Sequence, residues 1–225
     1  MLKFESVTKK FGSTNALDNV SFEVGLGEFV FVTGPSGAGK STLLKLLLRQ
    51  LKPDHGKIII EGKDISELKK DQVPFYRRKL GFVFQDFKLL PDRTVWENVA
   101  LGLEIGEDTK NPEKKIKDAL EEVGIEDKKN LFPRQLAGGE QQRVVIARAL
   151  VTQPKLILAD EPTGNLDPVT SRQIISLLDH AAKNGTTVLM ATHNEIIVNT
   201  LKRRVLKFKK GKLVSDTEKG KYEED

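Results

Sequence analysis

The sequence predicts an α/β fold built on a mainly parallel sheet, and three observations carry that expectation. An apolar, strand-like run from Glu28 to Thr33 leads into a glycine-rich turn and then into an apolar helical segment from Leu43 to Leu51. Further along, a helical pattern from about Glu140 to Leu150, an apolar run from Lys155 to Ala159, a helix from Ser171 to Ala182 and a strand from Thr186 to Ala191 alternate. Between these parts, the stretch from Gln85 to about Leu136 carries few strand signals and reads as an inserted helical lobe. Strands that alternate with helices favour one sheet covered on both faces, with ligands at the carboxyl ends of its strands.

Each element follows from its pattern. Leu2 to Val7 and Val20 to Val24 are short β-like segments, Lys57 to Ile60 is another, and Gly81 to Phe84 is a brief apolar run ending at Gln85. Trp96, Val99, Ala100 and Leu103, then Ile116, Ala119, Leu120 and Val123, recur at helical spacing. The same spacing places Ile174, Ile175, Leu177, Leu178, Ala181 and Ala182 on one side of the Ser171 helix. No internal repeat or low-complexity linker interrupts the chain. The expectation is a single domain over residues 1–225, with 1–84 and about 137–225 as the α/β core and about 85–136 as a helical subdomain.

Composition narrows the function classes. The chain has 225 residues and no cysteine, which leaves no disulfide scaffold or thiolate zinc site. Its 37 basic and 32 acidic residues are interspersed, so the net charge of +5 gives no expectation of a nucleic-acid partner. The exception is Lys202 to Lys212, where seven basic residues carry no acid between them; such a surface suits anionic lipid or nucleic acid, while alternation with Val205, Leu206, Phe208 and Leu213 favours an edge strand with outward charges. No apolar run approaches the length of about 20 residues that a bilayer-spanning helix needs. Membrane contact is therefore expected only through a partner.

Chemistry concentrates at three places. Gly34-Pro35-Ser36-Gly37-Ala38-Gly39-Lys40-Ser41-Thr42 joins a strand to a helix with the spacing G-x-x-x-x-G-K-S. Its glycines let backbone N–H groups close around phosphate oxygens, Lys40 brings a positive charge to the outer phosphates, and the Ser41 hydroxyl suits Mg²⁺. The expected ligand is a nucleoside triphosphate. The run Leu156-Ile-Leu-Ala-Asp160-Glu161 ends in two adjacent carboxylates, a costly way to end a buried strand unless a metal and a reacting water use them. Asp160 fits a Mg²⁺ ligand, and Glu161, one residue on, suits a base for the attacking water. Gly138-Gly139, placed directly before a helix, offers free N–H groups and a positive dipole end to an anion, although a glycine pair there is also a common steric device.

The phosphate loop, the run LILADE, the segment LAGGEQQRV and His193 after the strand Thr187 to Thr192 together resemble the ATP-binding subunits of ABC (ATP-binding cassette) transporters over essentially the whole chain. The resemblance implies the P-loop NTPase fold of ABC type, with an N-terminal antiparallel β segment beside the parallel core. It also implies hydrolysis of ATP with Mg²⁺ by a homodimer formed on ATP binding, each nucleotide lying between the phosphate loop of one copy and the glycine segment of the other. By the same resemblance Phe11 stacks on adenine, Gln85 senses Mg²⁺ and water, His193 meets the γ-phosphate, and Asn165-Leu166-Asp167 crosses the dimer interface. Ala137, Gly138, Gly139 and Glu140 act across the dimer.

Two positions depart from the family pattern LSGGQ: Ala137 replaces its serine and Glu140 its glutamine. Ala137 has no hydroxyl to donate to a γ-phosphate, which predicts weaker closure or slow turnover. Gly164-Asn165-Leu166-Asp167 after Asp160-Glu-Pro-Thr places the chain near family members that serve cell division, lipoprotein release and macrolide efflux. Phe84-Gln-Asp-Phe-Lys-Leu-Leu-Pro-Asp-Arg-Thr94, Val95-Trp-Glu-Asn-Val99 and Met190-Ala-Thr-His-Asn194 resemble the division branch. That branch implies an integral membrane partner and a peripheral position on the cytoplasmic side of the cell membrane. Soluble relatives acting on DNA or ribosomes carry coiled-coil insertions or two fused cassettes, and this chain has neither.

Overall fold

Ten strands and seven helices make up the described residues, 1–106 and 110–220, of the computed structural model. Residues 107–109 and 221–225 of the expected 1–225 domain, the former within the expected lobe, lie outside the described residues. The chain divides into two compact units, residues 1–77 with 189–225, and residues 78–188.

In the first unit, β1 (Leu2–Phe11) pairs antiparallel with both β2 (Thr14–Val24) and β4 (His55–Ile60), and the sheet order is β2-β1-β4-β5 with β5 at Lys63–Asp64. Leu2, Phe4, Val20, Phe22, Val24, Ile58 and Ile60 are all buried, and the rings of the facing pair Phe4 and Phe22 stack at 4.6 Å. The period of two slips between Phe4 and Val7, where a register shift places Ser6 at a positive φ of 51° and its N–H on Ser21 Oγ at 2.8 Å. The bulge lets Val7 return to the buried face three residues after Phe4.

Every residue of β3 (Phe29–Thr33) is buried, as a central strand covered on both faces requires. Its neighbours in the order β10-β9-β3-β8 are β9 (Arg204–Lys209), which is parallel to it, and β8 (Thr187–Ala191), the strand in which the two units divide. β10 (Lys212–Thr217) runs antiparallel to β9. The basic segment is thus not an edge strand. β9 lies between β10 and β3, with Val205, Leu206 and Phe208 buried, and Arg204 finds its acids elsewhere in the chain: a two-pronged pair with Asp216 of β10 at 2.7 Å and a bond to Glu28, just before β3, at 2.9 Å. Sequence proximity alone hid those partners.

Helix α1 (Lys40–Leu47) buries Leu43, Leu44, Leu46 and Leu47 and stops four residues short of the expected end at Leu51. Arg49 adopts φ 55°, which turns the chain back so that the Leu51 N–H reaches Lys45 O at 3.2 Å. The carbonyls left over at this end are taken by Tyr76 on Leu47 O and by Arg77 Nε on Leu48 O at 2.7 Å, both from α2 (Val73–Arg77). The remaining helix of this unit, α7 (Glu195–Leu201), follows β8.

In the second unit, β6 (Leu80–Val83) runs parallel to β7 (Leu156–Asp160), and the order continues to β8. Between β6 and β7 the described residues hold helices and turns but no strand: α3 (Val95–Gly106), α4 (Pro112–Glu122), two short 3-10 turns and α5 (Gly138–Leu150). Buried Asn98 organises the turn that enters α3, donating to Leu90 O, Arg93 O and Thr94 O at 3.0–3.1 Å and accepting from Leu90 N at 2.8 Å. Helix α6 (Pro168–Lys183) completes the unit and buries Ile174, Ile175 and Leu178.

Candidate nucleotide site

In the first unit, β3 delivers the glycine loop at its carboxyl end, and the glycines divide by what surrounds them. A Cβ on Gly34 would stand 2.1 Å from Phe208 O, and one on Gly39 would stand 2.5 Å from Ala16 O, so the scaffold itself demands glycine at both. Gly37 has φ 77°, and a Cβ on it would meet nothing within 4 Å, so its freedom is conformational and faces open space. The loop closes on itself through Ala38 N–H to Pro35 O at 3.1 Å, and α1 begins at Gly39 with no side-chain cap. The first-turn N–H groups of α1 therefore have no side-chain cap. Lys40 Nζ donates to Gly34 O at 2.7 Å and Pro35 O at 3.1 Å, which holds the ammonium against the loop. Ser36 and Ser41 are exposed, and Thr42 is half-buried.

Phe11 closes β1 at 51% exposure, far from a core aromatic such as Phe4, with the Lys9 ammonium 5.7 Å from its ring centre. Lys9 is held by Asp54 at 3.0 Å, and the Lys10 N–H donates to the same carboxylate at 2.6 Å. These bonds hold the Asp54 carboxyl below its ordinary range, the Lys10 N–H contributing most. His193 is exposed just after β8. The cap of α7 is supplied by its neighbour: Asn194 accepts from Ile197 N at 3.2 Å, and its own N–H rests on Thr192 Oγ1 at 3.0 Å.

In the second unit, β7 ends at half-buried Asp160, and Glu161 follows with φ 47°, an uncommon conformation for a non-glycine residue. The turn is pinned by Gly164 N–H on Glu161 O at 3.0 Å. A Cβ on Gly164 would lie 2.9 Å from Gln85 Nε2, and Asn165 Nδ2 donates to Gln85 O at 3.4 Å, so Gln85 packs directly on the loop that begins at Glu161. Leu166 lies against Gly138, 3.5 Å from where a Cβ would be, and Asp167 caps α6 by accepting from Val169 N and Thr170 N at 2.9 and 3.0 Å. The Thr170 side chain first, and then these N–H groups, holds the Asp167 carboxyl below its ordinary range.

The glycine pair at α5 splits in the same way as the phosphate loop. Gly139 answers to packing, since a Cβ there would meet Thr170 Cγ2 at 2.3 Å. Gly138 is exposed and crowded by nothing closer than 3.5 Å, which leaves its N–H approachable. Ala137 is the N-cap of α5, and Glu140 reaches back to its N–H at 2.9 Å while pairing with Lys128. Lys128 first, then the Ala137 N–H, holds the Glu140 carboxyl below its ordinary range. Glu140 thus finishes a helix end.

Arg148 is a residue that sequence reasoning missed. From α5 it donates to Phe87 O at 3.0 Å and Lys88 O at 2.8 Å, and both of those residues have positive φ, 57° and 52°. The guanidinium holds two strained residues that follow Gln85 and Asp86. The only hint in the sequence is a cation inside the apolar run of α5.

Comparison with known proteins gives these features a family. The model of the ABC transporter family matches residues 17–164. The chain belongs to the ABC transporter family. Two relatives are named cell division ATP-binding protein FtsE: that of Bacillus subtilis (strain 168) is 49% identical over 99% of this chain and 98% of its own, and that of Streptococcus pneumoniae serotype 2 (strain D39 / NCTC 7466) is 48% identical over 99% and 97%. Among solved structures, a dimeric post-hydrolysis state of the ATP-binding cassette MJ0796 bound to ADP and Pi has a TM-score of 0.86 at 37% identity, covering 99% of this chain and all of that one. The ABC cassette fold and ATP hydrolysis to ADP and phosphate follow for this chain. Its cofactor is Mg²⁺, and the donors present suit that ion. The donors expected from the sequence, a hydroxyl at Ser41, an amide at Gln85 and a carboxylate at Asp160, are hard oxygen groups with one charge among them, and Mg²⁺ takes few carboxylates because it keeps waters and substrate phosphates as ligands. No cluster of three acidic, His or Cys side chains forms a protein cage among the described residues.

Proposed function

We propose that this cassette is the ATP-driven subunit of a bacterial cell-division complex, working as a homodimer with an integral membrane partner of FtsX type and activating cell-wall hydrolases outside the cell. The observation that carries this reading is identity of 48–49% with FtsE proteins over nearly the full length of both chains. Among the described residues no helix is long and apolar enough to cross a membrane, which fits a peripheral place on the cytoplasmic face, reached through the partner. Co-purification of the native complex from membranes tests it. Recovery with a lipoprotein-release or macrolide-type permease instead would move the cassette to an exporter, and an ATPase rate stimulated by DNA would favour a soluble role.

In this reading catalysis is positioning and electrostatics around the γ-phosphoryl group. The N–H groups of residues 34–42 and the Lys40 ammonium hold the triphosphate, while Phe11 carries the adenine. Ser41, Asp160 and Gln85 would hold Mg²⁺, which neutralises charge on the phosphate oxygens when bound. Glu161 takes a proton from the attacking water, and His193 donates to the γ-phosphate. Ala137, Gly138, Gly139 and Glu140 of a second copy close the site, with Asn165, Leu166 and Asp167 at the interface. The MJ0796 cassette is itself described as dimeric, which supports this arrangement.

Ala137→Ser supplies the missing hydroxyl. A hydrogen bond to a charged group is worth roughly 1.5–3 kcal/mol, so ATP-dependent dimerisation tightens by about tenfold or more, read by sedimentation with and without ATP. Unchanged dimerisation and unchanged hydrolysis would remove the hydroxyl argument.

The membrane partner docks, in the same proposal, on the turn after Gln85. Leu90 is 41% exposed, Asp92 and Arg93 are exposed, and Phe87, Leu89 and Trp96 are half-buried beside them. Arg93→Glu reduces capture by partner-containing membranes by roughly tenfold, about 1.4 kcal/mol, and leaves ATP affinity unchanged. Undiminished capture would exclude this surface.

A further inference from the structure

The turn joining β9 to β10 is built into the phosphate loop, although it lies some 170 positions later in the chain. Gly211 N–H donates to Ala38 O at 3.1 Å, and Gly211 O accepts from Asp18 N at 2.9 Å. Upstream in the same hairpin, Phe208 O occupies the place of a Gly34 Cβ, at 2.1 Å. Gly211 itself has φ 78°, and a Cβ on it would stand 2.7 Å from Asn15 O and 3.0 Å from Ala16 O. Gly39 faces the same Ala16 carbonyl. Three glycines at positive φ therefore bring loop, β2 and hairpin into backbone contact, and Lys212 straps the hairpin to Asp18 at 3.4 Å. All of these residues belong to the first unit.

The bond to Ala38 O matters because of peptide geometry. In a planar trans peptide the C=O and N–H groups point in opposite directions. Ala38 C=O and Gly39 N–H share one such plane, so a donor that holds the carbonyl on the hairpin side aims the Gly39 N–H at the opposite side. Gly39 opens α1, where N–H groups meet an anion. The loop's own bonds act elsewhere: the turn from Ala38 N and the Lys40 ammonium both close on the carbonyls of Gly34 and Pro35 and leave Ala38 O to the hairpin.

We propose that the β9–β10 hairpin is a third wall of the nucleotide site and that Gly211 is a positioning residue, whose N–H orients the Ala38–Gly39 peptide so that the Gly39 N–H faces the triphosphate. The inference rests on residues 34–42 being the triphosphate loop. It assigns the C-terminal hairpin a part in substrate affinity, acting on phosphate rather than on the base.

Gly211→Ala in the full chain tests it, with Gly62→Ala as the control, because Gly62 also has positive φ (76°) but nothing within 4 Å of its Cβ position. In the Gly211 variant the KM for Mg-ATP rises about tenfold and inhibition by inorganic pyrophosphate weakens by a similar factor, while kcat stays within about twofold. The Gly62 variant keeps the KM and the pyrophosphate inhibition of the unsubstituted chain. A folded Gly211 variant with unchanged KM and pyrophosphate inhibition, or with kcat and melting temperature lowered and KM unmoved, overturns the proposal. Should Gly211→Ala not fold, hydrogen exchange of the unsubstituted chain decides: added Mg-ATP slows exchange across residues 208–212, and unaltered exchange there overturns it. Failure of the unsubstituted chain to bind ATP would instead overturn the triphosphate-loop reading, and this inference with it.

Discussion

Glu161→Gln lowers the rate of ATP hydrolysis by about 10²–10⁴, the usual contribution of a positioned general base, and leaves ATP binding intact. The residue directly after a strand that ends in Asp160 is turned by a positive φ of 47°, and Gly164 N–H pins its carbonyl at 3.0 Å. That backbone is costly for a side chain with a Cβ, by an order of 1–3 kcal/mol, and persists because the loop from Glu161 to Asp167 is fixed at both ends. At the far end Asp167 caps α6, and in the middle Asn165 and Gly164 pack on Gln85. Glutamine is isosteric with glutamate, so the loop is preserved while the proton acceptor is lost. The expected result is a long-lived ATP-bound dimer, visible by size-exclusion chromatography with ATP, with phosphate release nearly abolished. Phosphate release at the unsubstituted rate would reassign the base to another group.

Lys40→Ala removes nucleotide binding itself, with affinity for ATP falling by at least about a hundredfold, a loss of roughly 2.7 kcal/mol. The ammonium is held at the loop by two carbonyls, Gly34 O and Pro35 O, and it is the one cationic side chain within residues 34–42. Its removal leaves amides as the only positive groups that residues 34–42 offer to a triphosphate. Calorimetric titration measures the loss. The fold survives, because the buried face of α1, from Leu43 to Leu47, and the contacts of Gly34 and Gly39 with Phe208 and Ala16 do not involve the lysine side chain. ATP binding equal to that of the unsubstituted chain would mean that the loop amides alone hold the phosphates.

The two changes separate binding from chemistry. A chain with Gln at 161 binds and does not turn over, whereas a chain with Ala at 40 does neither. Ala137→Ser acts in a third way, through closure of the dimer, so its effect depends on protein concentration. Arg148 connects these parts within the second unit: it holds the two strained residues that follow Gln85, the residue against which the Glu161 loop packs.

Motifs whose chemistry is local were readable along the chain. A strand, a glycine turn, a lysine and a serine at fixed spacing need only their neighbours to make an anion-binding helix start, which is why residues 34–42 were legible before any fold was known. Paired carboxylates after an apolar run are equally local, as are the helical periods of α3, α4 and α6. What depends on distant partners was not legible. The basic segment after Lys202 reads as a charged edge because the acids of Arg204, Glu28 and Asp216, lie far away or beyond the segment in sequence; in the fold β9 is an interior strand between β10 and β3. Leu48 to Leu51 continued the apolar pattern of α1, but Arg49 turns the chain there, and Tyr76 and Arg77 take the open carbonyls.

The glycines show the same division most clearly. Their number and spacing state that backbone must approach something closely, and nothing in the chain says what. Gly37 faces open space and Gly138 meets only ordinary contact from Leu166 at 3.5 Å, whereas Gly34, Gly39 and Gly139 are required by Phe208, Ala16 and Thr170. Residue order alone carries the nucleotide chemistry, because that chemistry is made by adjacent backbone groups; which glycine serves the ligand and which serves the packing was decided only in three dimensions, because steric exclusion is set by atoms that folding brings together from remote parts of the chain.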